Sequence, residues 1–131
     1  MARSIIAVVA GFVFIGALSF GADAVMRNKM PEVFGASGRV DSAPVLLLMA
    51  AYVMVFAVAG SYLTAFLAPR NPMKHALVLG ALGLIFNIAG TIALWETAPA
   101  WFHIISLLLV MPYAWLGGRL REMQLRQART A

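Results

Sequence analysis

The sequence predicts an all-α membrane protein: a small helical bundle of four transmembrane helices with both termini on one side. Three observations carry this. Four long apolar stretches occupy most of the 131 residues, hydrophobic residues make up 63% of the chain against 11% charged, and Lys and Arg are unevenly shared among the connecting segments. So little charge cannot solvate the surface of a water-soluble domain of this size. A transmembrane barrel would show segments of about ten residues alternating apolar and polar. These stretches are continuously apolar, so helices, which satisfy every backbone polar group internally, are the remaining solution.

The chain reads as one domain with helices at residues 4–25, 44–68, 73–94 and 101–116, an outer loop at 26–41 and a short cytoplasmic tail at 117–131. Each stretch is near the roughly 17–25 residues that cross a ~30 Å hydrocarbon core, the fourth being the shortest. The first follows Met1-Ala2-Arg3 like the start of a signal peptide. Its apolar run exceeds the usual ~7–15 residues, so it is expected to remain as a helix. Punctuation supports the other boundaries. Asp41-Ser42 before Pro44, Asn71-Pro72, and Thr97 before Pro99 offer N-caps with Pro in the first turn, and Pro69 closes the second helix. Pro112 should kink the fourth helix by removing one backbone hydrogen bond. Gly117-Gly118 marks a weak point after it, beyond which a separate amphipathic tail is expected. Val33 and Phe34 are expected to dip the outer loop into the interface.

Orientation follows from the basic residues, which are enriched in cytoplasmic loops. Arg3, Arg70, Lys74, Arg119, Arg121, Arg126 and Arg129 fall on one side, and Arg27, Lys29 and Arg39 on the other. Seven against three predicts cytoplasmic termini. Arg70, Lys74, Arg119 and Arg121 are then candidate contacts for anionic lipid headgroups. Scattered arginines beside a membrane are a topology signal rather than a nucleic-acid site, and no nucleic-acid partner is expected.

Small residues form helix-packing seams, since close backbone approach favours association where no water drives it. On the first helix Ala7, Ala10, Gly11, Ala17, Gly21 and Ala24 share one face; on the second Ala50, Met54, Ala57, Ser61, Ala65 and Ala68; on the third Gly80, Gly83, Asn87, Gly90 and Thr91. Asn87, near the bilayer centre, is expected to make an interhelical hydrogen bond. A faint internal repeat pairs Ala10–Phe14 with Leu82–Phe86, with Asp23 and Glu96 ending the corresponding helices and Ala-Pro opening those that follow. It suggests two hairpins of the same orientation.

No catalytic signature is present. With no Cys, thiolate metal sites and thiol nucleophiles are excluded. Asp23, Glu96 and His103 are candidate polar or ion sites at the edges of the spans. Asp23 has Arg27 at i+4 for an interfacial ion pair, Glu96 sits among the belt indoles Trp95 and Trp101, and His103 is a candidate partner of Glu96 or Asp23. His75 and His103 lie near opposite faces, roughly 20 Å or more apart at 1.5 Å per residue, so they cannot share one haem iron. Enzyme activity and cofactors are not expected.

Residues 18–25 (LSFGADAV), Gly60 to Gly80 through SYLTAFLAPR and PMKHALVLG, and Ala114-Trp115-Leu116-Gly117-Gly118-Arg119-Leu120-Arg121 together resemble a family of small uncharacterised bacterial four-helix inner-membrane proteins. The likeness spans nearly the whole chain. It implies a bacterial inner (cytoplasmic) membrane and the four-helix topology, and brings no activity or functional residues with it. The expected function is a non-catalytic accessory or structural subunit, packing through its small-residue faces against other membrane subunits or itself. The alternative is a small homo-oligomeric transporter or channel with a polar path through Asn87, Thr91 and Asp23.

Overall fold

The computed structural model describes residues 1–34 and 40–130, without the Thr130 side chain. Its elements are α1 (Ala2–Lys29), a 3-10 turn (Pro31–Val33), α2 (Ala43–Leu67), α3 (Pro72–Ala93), a second 3-10 turn (Trp95–Thr97) and α4 (Ala100–Thr130). Among the described residues there is no strand, and all four helices are long and apolar enough to cross a membrane. Part of the expected outer loop, residues 35–39, which includes Arg39 of the charge count, lies outside the described residues.

The helices alternate in direction, so the termini and the α2–α3 turn share one end of the bundle and the two longer connections share the other. We call these the terminal end and the loop end. The helix α4 packs extensively against both α2 and α3, and α1 against α2, whereas α2 and α3 touch each other less and α1 meets α3 only lightly.

Capping differs from expectation. Ser42 and Asn71 do occupy the positions before α2 and α3, each with Pro in the first turn, yet neither makes a side-chain cap bond. Asn71 contributes its backbone instead. It adopts φ 50°, a left-handed conformation that Asn tolerates better than most residues, and its carbonyl is within 3.1 Å of His75 Nδ1. The Thr97 hydroxyl donates back to the Leu94 carbonyl at 2.6 Å. Ala68, held extended ahead of Pro69, ends α2 as a pre-proline residue should.

The largest departure is α4, which runs 31 residues straight through Gly117-Gly118 and contains Pro112 within its length. The expected separate tail is therefore the same helix, about 46 Å long at 1.5 Å per residue. Packing explains the continuity. A Cβ on Gly117 would sit 2.5 Å from Ser61 Cβ and 2.7 Å from the Val58 carbonyl oxygen, and one on Gly118 would sit 2.9 Å from both Ala76 Cβ and Met73 Sδ. These glycines cost helix propensity, about 1 kcal/mol each against Ala, and their backbone contact with α2 and α3 offsets it. Likewise α1 continues to Lys29, past its expected end.

Close approaches concentrate in the terminal half. Beside Gly117 and Gly118, a Cβ on Gly11 would overlap the Thr64 hydroxyl, one on Gly60 would overlap Ile15, and one on Gly80 would sit 2.5 Å from Ala114 Cβ. Thr64, fully buried, donates to the Ala7 carbonyl at 3.0 Å, and Ser61 is buried under Gly117. Toward the loop end the spacing relaxes. Gly83 has ordinary contact with Val110 at 3.7 Å, while Gly16, Gly21 and Gly90 have nothing within 4 Å. The loop end itself is closed by Val40, Leu46 and Ala98, with Val33, Phe34 and Phe102 packed on them. The Val40 amide donates to the Thr97 carbonyl at 2.8 Å, tying the two connections together.

Candidate functional site

The relaxed half holds a partly open cleft of about 500 Å³. All four helices contribute: Asp23 and Arg27 from α1, Tyr52, Ala57 and Ser61 from α2, Gly80, Gly83, Asn87, Gly90 and Thr91 from α3, and His103, Ser106 and Tyr113 from α4. Its upper wall includes Trp101 and Phe102, and its floor is the close-packed zone around Ser61, Gly80 and Ala114. Much of the remaining lining is aliphatic. The cleft is therefore an apolar chamber with a few polar groups aimed into it, a composition shared by ligand pockets.

The polar groups are spoken for mainly by neighbours that sequence spacing did not indicate. Asp23 accepts a hydrogen bond from the Tyr52 hydroxyl on α2, while the Arg27 guanidinium lies 4.7 Å over the Phe34 ring. The bond joining α1 to α2 in this half is thus a carboxylate–phenol pair twenty-nine residues apart. Asn87 does not reach another helix through its carbonyl; Thr91, one turn on, donates to its Oδ1 at a long 3.4 Å. His103, buried at 8% exposure, sets Nε2 3.2 Å from the Trp95 carbonyl and stacks its ring on the Trp95 indole, centroids 5.2 Å apart. The 3-10 turn that folds Trp95 back over the first turns of α4 supplies this partner in place of Glu96 or Asp23. Glu96 is exposed and lies outside the cleft.

Of the seam residues, Gly11 and Gly80 make close helix contacts, Ser61 is buried beneath α4, and Ala57, Gly83, Asn87 and Gly90 border the cleft. Gly21 faces outward, with Ala17 and Ala24 exposed on either side of it. Thr64, Gly60 and the Gly117-Gly118 pair were not singled out as seam residues, although Gly60 and Thr64 stand one helical turn apart with Ser61 between. That spacing was the available signal.

The four basic candidates divide. Arg119 pairs with Glu122 at 3.6 Å, and the Arg121 guanidinium lies 4.4 Å over the Phe66 ring while donating to Gln124 at 2.6 Å. Arg70 and Lys74 instead line a second depression, between α1 and α3 at the terminal end. Among the described residues no three His, Asp or Glu side chains converge as metal ligands would. Compared with known protein families, with curated proteins and with solved structures, the chain matches none.

Proposed function

We propose that the chain is a non-catalytic integral membrane subunit of a bacterial inner membrane, with cytoplasmic termini, that seats a helix of a larger membrane complex along the loop half of α1. The observation that supports this is the divided fate of one small-residue face. Its terminal-end members, Ala7 and Gly11, are buried inside the bundle, whereas its continuation, Ala17, Gly21 and Ala24, is exposed with open space where a Gly21 Cβ would be. In lipid, helices gain from close backbone approach at small residues rather than from burying apolar area, so an open small face is a seat for another helix. The topology rests on the basic residues gathered at the terminal end.

Gly21→Leu tests the reading. It fills open space, so the bundle's unfolding in mild detergent should stay near wild type while co-purification of a foreign membrane subunit with tagged protein is lost. Gly11→Leu, driven into Thr64 and Gly60, should destabilise the bundle itself, overpacking costing about 1–3 kcal/mol. Retention of the same partner by Gly21→Leu, or purification as a stable homo-oligomer with no foreign subunit, overturns the proposal.

A second reading, a small transporter or channel, draws support from the gathering of Asp23, Asn87, Thr91 and His103 on one cleft. A homo-oligomeric path would need these groups on an outer face between copies. Here they gather on one partly open cleft among the four helices of a single chain, and below them the packing closes at Ser61, Gly80 and Ala114. Solute flux in vesicles abolished by Asp23→Asn in protein that remains assembled would favour this second reading over the first.

A further inference from the structure

We infer that the depression between α1 and α3 at the terminal end binds one anionic phospholipid, its phosphate held by Arg70 and Lys74 and its acyl chain laid against Ile5, Val8, Val9 and Val78. The depression is about 700 Å³. One wall is a single face of α1 and the other is the α2–α3 turn with the first two turns of α3. Because α1 and α3 run in the same direction, both walls are basic or polar at the rim and become purely apolar toward mid-bundle. Ile5, Val9 and Val78 are exposed at 63%, 51% and 50%, and the apolar wall of α1 from Ile5 to Val9 continues the slot by about 6 Å along the axis at 1.5 Å per residue.

Charge complementarity selects the headgroup. No carboxylate lines this depression, and among the described residues neither Arg70 nor Lys74 has an ion-pair partner, in contrast to Arg119, which pairs with Glu122. A partner helix would fit the apolar slot but would leave two cations at its mouth uncompensated. A free phosphate would meet the cations and leave the slot unfilled. A phospholipid satisfies both, because its charge and its chain are separated along the same axis as the cations and the valines. The inference rests on the membrane-spanning reading but not on any partner subunit.

The test is native mass spectrometry of the full chain, purified in mild detergent, stripped of lipid and offered phosphatidylglycerol or phosphatidylcholine with identical acyl chains. One phosphatidylglycerol should be retained in preference to phosphatidylcholine. In the R70Q/K74Q variant that preference should fall roughly tenfold or more, as loss of two membrane-surface cations implies. The R119Q/R129Q variant, which removes the same charge from the same end away from the slot, should keep it. Val78→Trp should lower retention of both lipids by filling the slot, and millimolar inorganic phosphate should displace neither. Equal retention of the two lipids, an equal fall in the two double variants, or displacement by phosphate alone would overturn the assignment. Purification of the tagged wild-type chain with no foreign subunit, its lipid preference intact, would instead count against the subunit reading only.

Discussion

Thr64 sits at the tightest point between α1 and α2, where its hydroxyl donates to the Ala7 carbonyl and its bulk lies against Gly11. Thr64→Val keeps the shape and removes the donor. Since a helical carbonyl at Ala7 also accepts from the amide four residues on, no buried group is orphaned, and the expected cost is about 0.6–1 kcal/mol, read as a lowered unfolding midpoint in detergent. Thr64→Leu should cost more, by forcing the helices apart. Sequence reasoning found the acid at Asp23 and the amide at Asn87 because polar atoms stand out in apolar runs. It misjudged their partners because it sees along one helix only: Arg27 is four residues from Asp23, whereas Tyr52 becomes a neighbour only through the antiparallel hairpin that Gly11 and Gly60 allow.

At the scale of the element, a glycine's role depends on what faces it. Gly117→Ala and Gly90→Ala make the same chemical change in two helices, with opposite expected signs. The first drives a methyl into Ser61 and the α2 backbone and should lower stability. The second enters open space and should raise stability by about 0.5–1 kcal/mol through helix propensity alone. Parallel unfolding curves for the two variants check the contrast, and a shared sign would mean the close contact of α4 with α2 is absent. Helix positions were legible from hydropathy, with α2 and α3 falling within about one residue of their expected spans. The course of α4 was not. A glycine pair at the end of an apolar run reads equally as a break or as a seam, and only the facing residues Ser61 and Ala76 decide between them.

For the whole molecule, the basic residues define a testable polarity. Glu32→Cys at the loop end should react with a membrane-impermeant maleimide in intact cells, and Ala128→Cys at the far end of α4 only after permeabilisation. Equal labelling would overturn the charge argument. Hydropathy made the four-helix plan legible, because it is a sum over many residues. The cleft was not legible, because it arises from where packing is incomplete, and Gly83 and Gly90 look no different in sequence from Gly80.

The place of α4 between α2 and α3 also has a consequence for biosynthesis. The α1–α2 hairpin, with Ala7 against Thr64 and Gly11 against Gly60, makes its closest contacts within itself. The α2–α3 pair, by contrast, holds only weakly until α4 has left the ribosome and Gly117 and Gly118 can wedge against Ser61 and Ala76. The fourth helix is therefore the keystone, and until it arrives the first three are a hairpin with another helix loosely moored beside it.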